Sequence, residues 1–168
     1  MPSTPGPWQK QGMALVERLR HQGNRAEVAP ALYRLLAEAS LSRAAMDACG
    51  APMALVDAGS ASRPLSYVNP AFESYFGYRA AESLGRPVHA LLLDARESAD
   101  VLYRDPTGPH ALRARRKDGS LAHVEATVGV IRASDGRVTH WVLSFADRSE
   151  LEQLRERINA LRVSAAQV

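Results

Sequence analysis

Two hydrophobic rhythms divide this chain, and the change between them falls near Cys49-Gly50. Before it, apolar residues recur every three or four positions, the spacing of one helix face. Trp8, Leu15, Val16 and Leu19 suit a helix from Trp8 to about His21, broken at Gly23. Asn24 and Glu27 have capping-box spacing, and Pro30 limits how that turn continues. A second helix then carries Leu32, Leu35, Leu36 and Ala39, and a shorter segment runs from about Leu41 to Ala48. The proline-rich residues 1–7 are expected to be disordered.

After Gly50 the period becomes two. Met53 to Val56 and Leu65 to Val68 read as paired strands across a Gly/Ser/Pro-rich loop. Three more strand-like runs cover about 110–116, 120–132 and 137–146, separated by Asp118-Gly119 and Asp135-Gly136, a strong hairpin signal. Between the two groups, Asn69 is placed to cap a short helix, Pro70 fits its first position, and Phe72, Tyr75 and Phe76 share a face. Gly77 supplies a left-handed stop. Last comes a helix over Glu150 to Arg162, with Leu151, Leu154, Ile158 and Leu161 spaced as a, d, a, d of a heptad. Glu150, Arg155, Arg157 and Arg162 flank them at e and g. Two heptads make only a marginal helix alone. The stripe therefore packs either on its own domain or on a dimer or partner helix, and both readings stay open. The periodicity alone predicts an α+β domain.

The segment YVNPAFESYFGYRAAESLG, from Tyr67 to Gly85, resembles the opening of a PAS domain. Asp147-Arg148-Ser149 resembles that family's Asp-x-Thr exit motif, with serine for threonine. The resemblance implies a five-stranded antiparallel sheet with short helices on one face, flanked by N-terminal helices and a C-terminal helix. It divides the chain into a helical extension (1–40), a PAS domain (41–146) and a signalling or dimerisation helix (147–168). It also implies a sensory and regulatory module rather than an enzyme.

Within the family, residues 41–163 resemble the light-oxygen-voltage branch of flavin photoreceptors, through the YVNPAFE…GY segment, the following LG, and Arg116-Lys117-Asp118-Gly119-Ser120. The branch signature is Gly-x-Asn-Cys-Arg-Phe-Leu-Gln; the corresponding run here is Gly85-Arg86-Pro87-Val88-His89-Ala90-Leu91-Leu92. Val88 replaces the photoreactive cysteine, Pro87 the asparagine, His89 the phosphate-contacting arginine and Leu92 the glutamine. Ala114, Val124 and Phe145 occupy the strand positions where the branch places flavin-binding amides. The candidate pocket lining is Val88, Leu92, Leu112, Ala114, Val124, Ala126, Leu143 and Phe145, apolar throughout. A buried polar group left unpaired costs about 1–3 kcal/mol, and a flavin here would lose several partners together. No cofactor is expected: the lining reads as a collapsed core, or as a small apolar pocket for an unidentified ligand. The rival reading is a cysteine-less flavin photoreceptor or redox sensor.

Composition narrows the remaining classes. An apolar fraction of 46% in 168 residues suits one soluble domain with extensions. A net charge of +3 is too small to argue for nucleic acid, which is not expected as a partner. Arg113, Arg115, Arg116 and Lys117 read as a solvated hairpin end, or else a phosphate or partner contact. The single Cys49 excludes an internal disulfide. No apolar run reaches the roughly 18–20 residues of a membrane span, and without a signal-peptide core a cytoplasmic location is expected. His21, His89, His110, His123 and His140 lack metal-site spacing, and none falls between Asp94 and Gly108, where haem-binding relatives carry their ligand. No catalytic motif is present.

On the outer sheet face, Leu121, Ile131 and Val142 would be exposed in an isolated domain, and His123 and His140 read as surface or interface residues. Leu32, Leu35 and Leu36 are candidate covers for that face. The expected interface set is Leu32, Leu35, Leu36, Ile131, Val142, Leu151, Leu154, Ile158 and Leu161, used in a homodimer or with a protein partner in trans.

Overall fold

In the computed structural model, residues 25–93, 100–106 and 108–165 are described, with side chains from Tyr33 onward except Val101. The helix expected over Trp8 to His21 and the cap expected at Asn24 lie outside these residues, as does the side chain of Leu32. The chain divides into two units, residues 1–45 and 46–168.

A single helix, α1 (Arg25–Ala48), replaces the turn and two shorter helices predicted before Gly50. It runs through Pro30, which removes one backbone donor without ending the helix. Nor does it break at Ser40-Leu41-Ser42, where the Ser42 hydroxyl donates to the Glu38 carbonyl at 2.9 Å and so stays satisfied within the helix. Tyr33, Leu35, Leu36 and Leu41 are exposed.

Beyond α1 come β1 (Met53–Asp57), β2 (Leu65–Val68), α2 (Pro70–Phe76), α3 (Ala80–Ser83), α4 (Val88–Leu92) and α5 (Asp100–Arg104). Then follow β3 (His110–Arg115), β4 (Leu121–Arg132), β5 (Val138–Asp147) and α6 (Ser149–Ala165). The strands form one antiparallel sheet in the order β2-β1-β5-β4-β3, so the last strand lies beside the first. Both Asp-Gly pairs turn hairpins: the Asp118 carboxylate accepts the Ser120 N–H at 2.9 Å, and that of Asp135 the Arg137 N–H at 3.0 Å.

Pleating assigns each side chain to a face. Ala126 lies opposite Phe145 and Val128 opposite Leu143 on the inner face, while Gly129 faces Val142 and Ile131 faces His140 on the outer one. The inner residues join Phe72 and Phe76 of α2, Val88, Leu91 and Leu92 of α4 and Leu102 of α5 in one buried cluster. Helix α2 is fixed at both ends. The Asn69 carbonyl oxygen of the side chain accepts the Phe72 N–H at 2.9 Å. At the other end Gly77 adopts φ 81°, a left-handed conformation that a side chain would strain.

Candidate functional site

All eight residues expected to line a pocket lie buried in the inner cluster: Val88, Leu92, Leu112, Ala114, Val124, Ala126, Leu143 and Phe145. Phe145 projects from the central strand into the aromatic residues of α2. Its ring centroid is 5.2 Å from that of Phe76, edge to face, and 6.2 Å from Phe72, which itself lies 4.8 Å from Phe76. Such tilted pairs suit the aromatic quadrupole. A flavin ring buried here would need hydrogen-bond partners for its carbonyls and ring nitrogens. The side chains at Ala114, Val124 and Phe145 offer none, and Phe145 already fills the space against α2. The residues present do not fit that group.

One end of this cluster is closed by a stack the periodicity did not reveal. Arg63, in the β1–β2 loop, adopts φ 49°, a left-handed conformation uncommon for a residue with a side chain. Its guanidinium lies 4.6 Å from the Tyr103 ring centroid and 5.4 Å from that of Trp141, and donates to the Asp100 carboxylate at 3.3 Å. Tyr103 and Trp141 meet at 4.7 Å. Burial pushes the Tyr103 hydroxyl up to about 12, although Arg63 works in the opposite direction. The loop, α5 and β5 are thus joined by one cation held over two rings.

Two of the hairpin cations, Arg116 and Lys117, also reach the helices beside the cluster. Arg116 donates to the Tyr75 carbonyl at 3.0 Å and lays its guanidinium 4.7 Å from the Tyr75 ring. The Lys117 N–H bonds the Phe76 carbonyl at 2.9 Å, and its ammonium pairs with Glu82. Arg113, Arg115 and Lys117 are exposed, as the expected solvated hairpin end requires, and Arg116 and the Lys117 N–H in addition clamp the end of α2. Neighbouring Arg-Lys before Asp-Gly was the available signal; the partner carbonyls were not readable from sequence.

The Asp147-Arg148-Ser149 exit begins beside this clamp. The Asp147 carboxylate accepts the Ser149 N–H at 2.8 Å, the Arg148 N–H bonds the His123 carbonyl at 2.7 Å, and the Arg148 guanidinium meets Glu125 at 2.8 Å. Burial raises the Asp147 pKa, but the Ser149 N–H and hydroxyl and the nearby Arg116 outweigh it and hold the carboxyl below its ordinary value. Burial and the same carboxylate push the Tyr75 hydroxyl upward. Tyr75 also meets Phe76 edge to face at 4.9 Å. Aromatic packing therefore runs from Phe145 through Phe76 to Tyr75, whose hydroxyl senses the Asp147 carboxylate just before α6.

Of the expected interface residues, Leu151, Leu154, Ile158 and Leu161 are all exposed on α6, at 41, 53, 45 and 70%. Leu35 and Leu36 are exposed on α1, and Ile131 and Val142 are half-buried on the outer sheet face, where Leu121 is exposed. His140 corrects the surface reading given to it: it is buried, because it sits on the central strand with Asp57 and Ile131 directly across on either side. Its pKa is lowered by that burial, against the pull of Asp57. Among the described residues, no three His, Cys, Asp or Glu side chains gather as a metal site, and no helix is long and apolar enough to cross a membrane.

Comparison with known proteins agrees with this architecture. The bacterioopsin transcriptional activator of Halobacterium salinarum is 28% identical, across 74% of this chain and 21% of that protein. The chain thus spans about a fifth of the curated relative it matches. An RNA-binding light-oxygen-voltage receptor superposes with a TM-score of 0.65 at 28% identity, covering 74% of this chain and 37% of that one. The Rhodobacter sphaeroides light-oxygen-voltage protein shares the fold, with a TM-score of 0.56 at 22% identity over 62% of this chain and 64% of its own. A family model described as the PAS domain matches residues 52–150, and with the strand order and the Asn69-capped helix in place the chain belongs to the PAS domain family, a sensory module.

Proposed function

We propose that this PAS domain is a flavin-free, non-catalytic regulatory module of the cytoplasm whose output leaves through α6. The output is the pairing of its apolar stripe with a second helix, from another copy of the chain or from a protein partner. One observation carries this reading: Leu151, Leu154, Ile158 and Leu161 keep heptad spacing, yet every one of them is exposed. A continuous apolar stripe left in water marks an association surface.

The core supports the flavin-free part. Leucine, valine, alanine and phenylalanine side chains occupy the inner face, and Phe145 stacks where a ring system would have to enter. The aromatic packing from Phe145 through Phe76 to Tyr75, and the influence of Asp147 on the Tyr75 hydroxyl, supply a route by which a change in core packing would alter the start of α6. A ligand drives such a change only through unequal affinity for two states. The halobacterial relative is a transcriptional activator, a setting in which a sensory module hands its state to other protein parts.

Two measurements test the reading. Protein expressed with excess riboflavin is expected to purify colourless; a yellow protein that releases flavin on denaturation overturns the flavin-free assignment. The paired substitutions Leu154→Glu and Ile158→Glu are expected to lower the mass of any self-assembled species by light scattering, or to abolish binding of a helical peptide to α6. Unchanged behaviour in both assays, with the fold intact by circular dichroism, overturns the α6 assignment.

A further inference from the structure

We propose that the helix received by α6 belongs to a different protein and carries acidic residues beside its apolar seam; this rests on α6 being the output surface. Charge decides between the candidates. The seam is flanked by Glu150, Arg155, Arg157 and Arg162, a net of two positive charges. Acidic Glu152 and Glu156 fall at b and f, outside the seam, and Glu152, which lines the groove beside α6, pairs with Arg155 at 3.4 Å. Arg157 and Arg162 form no ion pair among the described residues.

A second copy of α6 uses these charges poorly. In a parallel pair, g of one helix meets the following e of the other, so Glu150 faces Arg155 but Arg157 faces Arg162. Both contacts occur twice by symmetry, and attraction is offset by repulsion. In an antiparallel pair, e meets e and g meets g, so Arg155 faces Arg162 while Glu150 faces Arg157, and attraction is again offset by repulsion. A helix bearing glutamate or aspartate at its flanks instead attracts all three arginines and is opposed only at Glu150. Flanking charges of this kind select partners in coiled coils.

The surface continues past the end of the seam. A groove of about 310 Å³ opens between the outer face of β3–β4 and the first turns of α6, and Leu151 belongs to both groove and stripe. Ala111 and Arg113 line it, and its two carboxylates, Glu125 and Glu152, are each met by an arginine, Arg148 and Arg155. Two heptads hold a helix only weakly. A partner helix that overruns α6 into this groove adds apolar contact at Ala111. Seam and groove together thus fit one longer acidic amphipathic helix.

Three synthetic peptides and the full chain test this by fluorescence anisotropy. The first has about three heptads with leucine at a and d and glutamate at e and g. The second carries lysine at e and g, and the third copies residues 148–165 of this chain. The glutamate peptide is expected to bind about tenfold tighter than either of the others, with the margin shrinking as salt screens the exposed charges. Arg157→Glu with Arg162→Glu, both on the exposed helix, is expected to reverse the preference between glutamate and lysine peptides. Equal binding of the two, tighter binding of the α6 copy, or equal competition by unstructured polyglutamate overturns the proposal. If the α6 copy wins and Leu154→Glu abolishes its binding, the acidic partner falls while α6 pairing stands. If Leu154→Glu alters neither peptide binding nor mass, both fall.

Discussion

Asn69 and Met53 are joined by a hydrogen bond of 2.9 Å from the Met53 backbone N–H to the Asn69 side-chain oxygen, which ties the start of β1 to the cap of α2. The same oxygen accepts the Phe72 N–H, and the side-chain nitrogen faces the carbonyls of Met46, Cys49 and Ala51 at 3.2, 3.3 and 2.9 Å. One fully buried amide thus serves the end of α1, the entry to β1 and the first turn of α2. Asn69→Ala leaves buried donors and acceptors unpaired and is expected to cost about 3 kcal/mol in urea unfolding. Asn69→Asp keeps both accepted bonds but turns a carboxylate towards three carbonyls. The variant is therefore expected to be less stable than the parent at neutral pH. A variant as stable as the parent at neutral pH would remove the donor half of this account.

Phe145 permits a direct test of the apolar core. Phe145→Gln introduces the amide that the resemblance to the light-oxygen-voltage branch implies at this position, but it does so alone. The substitution removes ring contacts with Phe72 and Phe76 and buries an amide with apolar neighbours. A loss of about 3 kcal/mol is expected from the combined packing and desolvation terms, read by urea unfolding, with no gain of flavin fluorescence. A stable variant that takes up flavin would mean the remaining residues can host the ring.

The strands, both Asp-Gly hairpins and the capped α2 were legible because each is written locally, as a period, a turn pair or a cap with its stop. The inner face was legible for the same reason: alternation in β3, β4 and β5 assigns Leu112, Val124 and Phe145 to one side before any partner is known. What escaped detection depends on residues far apart in the chain. Nothing near Arg63 announces Tyr103 and Trp141, and nothing near Asn69 announces the carbonyls of Met46 and Cys49. His140 looked like a surface residue because alternation gives its face but not its place on the central strand. The break expected after Ala39 failed for a different reason: serine and leucine carry on a helix readily once a hydroxyl can bond the preceding turn.

The Tyr103 hydroxyl, pushed up to about 12 by burial, gives an alkaline signature. Its ordinary value is 10.0. The unfolded chain therefore loses this proton first, and the corresponding stability is full below about pH 10 and lost as pH rises towards about 12. Phenolate absorbance should show Tyr103 ionising late in the folded protein, as a component that Tyr103→Phe removes while the upward-shifted Tyr75 remains. Tyr103→Phe keeps the ring under Arg63 and is expected to flatten the alkaline fall in stability. Arg63→Met removes the cation that opposes the shift while keeping a long side chain over the ring, so Tyr103 should then titrate later still; earlier titration would contradict the part given to Arg63.

His140 supplies the acid counterpart. Burial disfavours its imidazolium, and Asp57 on β1 only partly restores it, while Ile131 on β4 carries no charge to help. The unfolded histidine titrates near 6.5 and the folded one lower. As pH falls through about 6.5 the unfolded chain takes up a proton that the folded chain refuses, so stability declines with acidification until the folded pKa is passed, then levels. His140→Phe retains a ring on the central strand and cannot titrate. Urea midpoints followed from about pH 7.5 down to about pH 5 should fall less steeply for the variant than for the parent. The four other histidines remain in both proteins and cancel from the difference. Parallel curves would show that the imidazole is as readily protonated in the fold as outside it. In that case the burial at the centre of the sheet carries no electrostatic cost.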